Sequence, residues 1–441
     1  MNIYILSFVL IIILVFSYIA SNRDIMAPSV LLTAGYFLAC ICCMYNVDNW
    51  GVNLKFKTCF LIVMGVAFFV LGDLFQNALM KDKALNVEHL KGIKEITIPN
   101  YIIFAFIAYD LFVLFLTAKE IFNMAGGLTG TIGSVVGQYR YAYAYTDYRP
   151  STLNVQLLKI CKGAAYTFLF IFFNNISVDN KLFVKNIRYL IPIVIFAFIT
   201  LIKGGRINAI MLIIAGMFLY YYMWHRKVGW NRSISARFIK VIFIAFMAFL
   251  VLFFGTREFV GRKETTALAE YVTTYIGGSI QLLDQYLEGS AIESQGLETF
   301  PGIIQTFNKL GLTDMFPHKA LEFRYSPTGV YLGNVYTGLR RYYHDFGILG
   351  MIVIQFLYGY LFGYVYKKIK QMQYLDSKRL FLLITYASLL FCIITQGMED
   401  HFWIDISLGF FVELIVMKFI VKVIMDCRLK KNKIVIGRWI G

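Results

Sequence analysis

Charge is what this sequence has least of. Asp, Glu, Lys and Arg make up 15% of its 441 residues, whereas hydrophobic residues make up 59%. With a mean hydropathy of +0.65, that balance excludes an ordinary soluble domain and marks an integral membrane protein. No internal repeat, low-complexity tract or separate soluble domain interrupts the apolar pattern, so one membrane domain over 1–441 is the economical reading. Cysteine is absent from the long polar segment 257–346, which excludes a disulfide framework there. Cys40, Cys42, Cys43, Cys59, Cys161 and Cys392 fall in apolar stretches, Cys427 follows the last one, and the Cys42–Cys43 pair lacks metal-ligand spacing. The first apolar stretch has no basic residue before it and no small-residue cleavage site. It reads as a span and not as a signal peptide.

Apolar runs supply the rest. A spanning helix needs about 20 mainly apolar residues, and eleven stretches qualify: 3–20, 27–45, 56–78, 99–117, 155–174, 186–202, 207–224, 238–256, 347–366, 380–396 and 402–424. The expected fold is an all-α polytopic membrane protein of about eleven transmembrane helices. Segment 257–346 would form a large external (periplasmic) capping loop between the eighth and ninth.

Acidic residues are scarce on one side in particular. Segments 21–26, 79–98, 175–188, 224–240, 367–379 and 426–441 hold 23 Lys and Arg against 7 Asp and Glu, a surplus equal to the whole net charge of +16. The positive-inside rule puts these segments in the cytoplasm, with the C-terminus inside and the N-terminus outside. The basic balance is thus topological, with contact to anionic lipid as a supplement, and does not argue for nucleic acid. External segment 257–346 has 8 Lys and Arg against 10 Asp and Glu. Unstructured loops of that length are rare, so it should be a small folded cap. Thr265–Tyr275, 279–287 and 302–309 are its candidate short helices, with Gly277-Gly278 as a break and Pro301 as a start signal. In 118–154, glycines lead into tyrosines at alternating positions around Arg140, a flexible turn opening on a ring-stacking or re-entrant piece.

Polar chemistry concentrates at the expected outer face. Residues 325–347 hold five tyrosines with Asn334, Arg340, Arg341, His344 and Asp345, directly before an apolar run. Paired guanidinium forks match diphosphate oxygens, tyrosines such as Tyr336 and Tyr343 stack on sugars, and a histidine oriented by a carboxylate can take a hydroxyl proton. A solvated surface histidine is the bland alternative for His344. Lys203-Gly-Gly-Arg206 is a tight external hairpin with cations on the wrong side of the charge bias; it is an anion clamp, or two side chains snorkelling into headgroups. Arg257 leaves the eighth span at a similar depth, with Arg262 behind it. The turn Gln396–His401 offers Glu399, Asp400 and His401, without zinc-site spacing. Asp110, Lys159, Lys162 and Glu413 are the intramembrane charges, each a site by default or one half of an ion pair.

At these residues the sequence resembles the Wzy-type oligosaccharide repeat-unit polymerases of bacterial O-antigen and capsule synthesis. The carriers are Lys203-Gly-Gly-Arg206, Gly333-Asn-Val-Tyr-Thr337, Arg340, Tyr343 and Asp345-Phe-Gly347, within a many-span layout that has one large late external loop. The resemblance implies a GT-C-like fold without metal or other cofactor, in the bacterial inner membrane with its active site facing the periplasm. It implies an inverting glycosyltransferase moving glycan from undecaprenyl diphosphate onto a lipid-linked repeat unit. Donor and acceptor are then undecaprenyl-diphosphate-linked oligosaccharides, and a chain-length regulator and a flippase are the implied protein partners. On this reading Arg206, Arg257, Arg340 and Arg341 hold the donor diphosphate and His344 is the base, with Asp345 or a nearby carboxylate orienting it. Lys203, Arg140, Asn334, Tyr336, Tyr343, Glu399 and His401 complete the substrate site. The alternatives are an O-antigen-type ligase, with the same donor and another acceptor, and a lipid-linked oligosaccharide flippase. A flippase would carry a repeat and charges along several spans.

Overall fold

The computed structural model describes residues 2–79, 94–127, 130–146, 148–179, 183–230, 236–259, 268–289, 294, 296–317, 321–430 and 433–436. The described residues are helical almost throughout, and the strands among them are two short antiparallel pairs, Arg324–Tyr325 with Tyr331–Gly333 and Cys427–Lys430 with Lys433–Ile436. Among the described residues nine helices are long and apolar enough to cross a membrane. The eighth and eleventh expected stretches also form helices, Ala236–Gly255 and Leu408–Asp426. The described apolar core of the former covers only Lys240–Leu252, and the latter carries Glu413, Lys418 and Lys422. A multi-pass membrane protein is the result.

The chain divides into two compact units, one of Met1–Lys83, Thr265–Lys370 and Cys392–Phe411, the other of Ala84–Glu264, Gln371–Phe391 and Val412–Gly441. In the first, helix Phe56–Leu79 packs along helix Gly338–Lys370. Glycines set the distance: a Cβ on Gly72 would strike the Phe356 carbonyl, one on Gly359 the Phe69 carbonyl, and one on Gly363 the Asp73 backbone and carboxylate. Lipid tails give apolar helices no hydrophobic reason to associate, so small residues that admit close backbone contact supply it.

Two expectations about the external segment change. Gly277-Gly278 does not break a helix; Leu268–Leu287 runs through it, because Gly277 rests on the Cys42–Cys43 backbone and a side chain there would collide. This helix packs along Pro28–Tyr45, and its Asp284 accepts from the Lys55 amide (2.8 Å) and the Thr58 hydroxyl. Twenty residues of that segment are therefore a packed helix of the first unit. The ninth expected span starts earlier, at Gly338, and carries a break at Gly347 (φ 65°, ψ −166°) that sets its first turns apart from the apolar remainder.

In the second unit, helix Thr152–Val178 is the centre, buried through Ala164, Phe168, Phe170 and Ile171. Its Asn175 amide bonds both backbone groups of Ile96 (2.8 and 2.7 Å) and the Asn186 side chain (2.7 Å), tying the segment before helix Asn100–Met124 to this helix. The tyrosine-rich stretch is a helix, Ile132–Tyr145, capped by the Thr131 side chain and packed through Val135 and Tyr139 on Ile121 and Ile202.

Candidate functional site

The first turns of helix Gly338–Lys370 place their side chains by helical spacing. Arg340 and His344, four residues apart, share a face, and both meet Glu298. The Arg340 Nη1 pairs with Glu298 Oε2, while His344 Nε2 lies 3.6 Å from Glu298 Oε1. Tyr286, in the last turn of helix Leu268–Leu287, completes the group: its hydroxyl bonds His344 Nδ1. Its ring lies under the Arg340 guanidinium at 4.3 Å, and Tyr336 lies at 4.9 Å. The other arm of the Arg340 fork donates to Glu322 Oε2 at 2.8 Å.

The two carboxylates on Arg340 respond in opposite ways. Burial pushes the Glu298 carboxyl up, outweighing Arg340, His344 and Arg341 beside it. Burial also acts on Glu322, but Arg340 and its other neighbours outweigh it and hold that carboxyl down. The Glu298 side chain is 7% exposed and that of Glu322 39%, so solvation decides the sign.

Of the two carboxylates expected to orient His344, Asp345 or one nearby, the structure brings the nearby one to it. The Asp345 carboxylate points to loop 294–299, accepting from the Ser294 hydroxyl and from the amides of Glu298 (3.5 Å) and Thr299 (2.7 Å). It holds the loop that carries Glu298, and the carboxylate beside His344 is Glu298 itself. Arg341 donates to the Glu298 carbonyl (3.0 Å) and lies 3.6 Å from Glu399, which lies 3.9 Å from His401. The Gln396–His401 turn thus joins the arginine cluster, as the Gly338 amide bond to the Gln396 carbonyl (2.9 Å) also requires. Asp400 in that turn accepts from the Phe402 and Trp403 amides, and burial pushes its carboxyl up to about 6, against Arg341 and His401. Tyr336 donates to the Glu322 carbonyl (3.1 Å) and Asn334 to the Leu321 carbonyl (3.2 Å), bracing the cap. Tyr343 turns its ring to Lys57, 5.3 Å away.

Lys203, Arg206, Arg257 and Arg140 belong to the second unit. Gly204 takes φ 79°, and the Arg140 stem lies against it, its Cβ 3.0 Å from where a side chain would begin. That contact brings Arg140 beside the Lys203–Arg206 hairpin. Arg140 Nη1 is shielded from solvent and has no hydrogen-bond partner among the described residues. Arg206 is buried at the start of helix Ile207–Val228, and Arg257 is half-buried in the turn after Ala236–Gly255. Burial pushes the Lys203 ammonium down, with the Glu120 carboxylate countering. Glu120 accepts from Tyr148 (3.1 Å), Ser151 (2.8 Å) and Asn154 (2.7 Å) on the wall of a cavity of about 540 Å³ that Lys119, Asn123 and Arg149 also line. Arg262 lies outside the described residues.

Intramembrane ion pairing is partial. Lys162 pairs with Glu413 at 2.7 Å, whereas both Asp110 oxygens are buried beside the Cys161 thiol, with no cation paired to them among the described residues. The residues that sequence reasoning missed are Glu298, Tyr286, Glu322 and Glu120. The available signal was the near-balance of charge in 257–346, which demands carboxylates for Arg340 and Arg341 but does not say which. No family model, curated protein or solved structure matches this chain.

Proposed function

We propose that this chain polymerises undecaprenyl-diphosphate-linked oligosaccharide repeat units into a surface polysaccharide at the outer face of the bacterial inner membrane. The observation that carries the reading is His344, held between the Tyr286 hydroxyl and the buried Glu298 carboxylate at the head of a spanning helix. The acceptor hydroxyl gives its proton to the Tyr286 oxygen as the Tyr286 proton passes to His344 Nδ1, while the acceptor oxygen attacks the anomeric carbon; the bond from that carbon to the diphosphate oxygen breaks, and the lipid diphosphate leaves. Glu298 stabilises the imidazolium as it forms. The resemblance of Lys203-Gly-Gly-Arg206 and Arg340–Gly347 to the polymerase pattern supports the substrate class.

The geometry redistributes the roles. Arg340 has both arms of its fork engaged by carboxylates and its faces covered by tyrosines, so it serves as a keystone of the proton-handling group. Within the second unit, Arg140 keeps a donor without a partner among the described residues and, beside Lys203 and Arg206, suits an anion such as diphosphate. Arg341, 2% exposed, donates to the Glu298 carbonyl and lies 3.6 Å from Glu399, so it belongs with Arg340 to the buried framework.

Deletion of the gene in a glycan-producing strain, complemented by His344→Ala, tests this. The expected outcome is surface glycan of one repeat unit in place of long chains, at normal protein level. Polymer that stays on the lipid carrier would assign a ligase instead. Repeat units trapped in the cytoplasmic leaflet would assign a flippase.

A further inference from the structure

Helix Pro301–Lys309 and the turn after it expose five apolar side chains within ten residues: Phe307, Leu310, Leu312 (69%), Met315 and Phe316 (83%). Single exposed apolar residues need no reason, but a contiguous group does. This group is held in place. The helix closes on Gly311 at φ 68°, with the Gly311 amide on the Asn308 carbonyl (3.0 Å) and the Leu312 amide on the Phe307 carbonyl (2.9 Å). These are the paired bonds of a Schellman motif, which sets Leu312 and Phe307 on one side. The Asn308 side chain then donates to the Met315 carbonyl (2.6 Å) and fixes the far end.

The opposite side of the helix is anchored to the unit. Pro301, Gly302 and Ile304 are buried, Gly302 is packed against the Ile404 and Ile406 carbonyls, and the Leu408 amide donates to Thr306 Oγ1 (3.0 Å). The place of this anchor identifies what covers the exposed side. Phe300 packs on Phe346 at 6.1 Å, where helix Gly338–Lys370 turns apolar after its break at Gly347. From there Leu349, Val353, Leu357 and Leu361 run down that helix as an exposed stripe, the lipid-facing side of a candidate span. The anchor thus meets that helix where the stripe begins, and exposed Lys309 beside the patch suits headgroup phosphate.

We infer that residues 301–316 form a monotopic hook that inserts into the bilayer interface, with Phe307, Leu310, Leu312, Met315 and Phe316 in contact with lipid. Its occupant is the membrane leaflet on the side of the Arg340 cluster. Because Glu298 lies three residues before Pro301, the hook ties the Glu298 loop to the membrane surface. The lipid contact itself does not depend on the proposed polymerase reading.

Spin labels at Leu312→Cys and Phe316→Cys, in separate full-length proteins reconstituted into phosphatidylethanolamine–phosphatidylglycerol vesicles, test it. A label at Glu288→Cys, an exposed position of the same unit, serves as the aqueous reference, and the signal of labelled parent protein is subtracted. The expected result is relaxation by oxygen in excess of a water-soluble nickel chelate at 312 and 316, placing both about 5–10 Å into the headgroup–acyl boundary, with the reverse at 288. Nickel access at 312 and 316 equal to that at 288 would overturn the hook. So would protection from both reagents, which would assign the patch to a second copy or another protein. If one variant fails to fold, the other carries the same test.

Discussion

The two units handle positive charge differently. In the first, Arg340 and Arg341 are almost completely buried, and Glu298, Glu322 and Glu399 surround them. In the second, Lys203 and its neighbour Arg140 are set on a glycine hairpin, and the carboxylate acting on Lys203 is Glu120, already engaged by a tyrosine, a serine amide and an asparagine. A neutralised cation holds a structure together, whereas a cation short of counter-charge waits for a ligand. The comparison teaches that an arginine pair beside tyrosines, however suggestive of diphosphate, can be an internal scaffold whose purpose is to orient its neighbours.

The largest expected effect strikes the scaffold. Glu298→Ala leaves Arg340 buried with half its fork empty, and removing one partner of a buried ion pair costs about 3–5 kcal/mol. The unfolding midpoint in detergent should fall accordingly, and Arg340→Ala should do the same. If Arg340→Ala keeps the parental midpoint and only weakens donor binding, the division between the two units fails.

Next comes a dependence on pH. The Asp400 carboxyl is raised from an ordinary 3.8 to about 6 by burial, so the unfolded chain gives up this proton before the folded one. Its stabilising contribution is complete below pH 4 and is lost as pH rises through about 6. A shift of that size corresponds to about 3 kcal/mol. Asp400→Asn should flatten the stability profile between pH 4 and 6, measured as unfolding midpoint against pH. A profile unchanged by the substitution would show that Asp400 is ionised throughout.

Membrane class and most helix positions were legible in the sequence, because about 20 apolar residues in a row have few other fates. Less legible was what the polar residues touch. Helical spacing could have said that Arg340 and His344 share a face, but nothing local marks Glu298, which reaches them across 42 residues. Asp345 is beside His344 in sequence, and on a helix adjacent residues point about 100° apart, so it serves the 294–299 loop instead. Gly277-Gly278 misled for a related reason: the pair reads as a breaker until the Cys42–Cys43 backbone against it is known. Local pattern reports the chain's own geometry, and these outcomes were set by distant neighbours.

A third prediction probes the second unit. Arg140→Ala removes a side chain whose outer nitrogen has no internal partner, so the unfolding midpoint should stay within about 0.5 kcal/mol of the parent. A charge-assisted bond to diphosphate is worth about 1.5–3 kcal/mol. KM for the lipid-linked donor should therefore rise about 10- to 150-fold, with kcat less affected. A fall in kcat alone would move Arg140 out of donor binding.

The smallest effect makes the sharpest comparison, since it concerns the same arginine. Glu322→Ala removes the second carboxylate of Arg340, but this one is 39% exposed, and water replaces what is lost. Pairs open to solvent contribute about 0–1 kcal/mol. The pH responses should also oppose each other. Glu322 is held below its ordinary value in the fold, so its contribution is present above pH 4.5 and fades as pH falls. Glu298 is raised, so the contribution linked to its titration is complete below pH 4.5 and is lost as pH rises. Subtracting the stability profiles of Glu322→Ala and Glu298→Ala from the parent should therefore give slopes of opposite sign. Equal slopes would mean that the two carboxylates share one environment, and the buried keystone assigned to Arg340 would lose its physical basis.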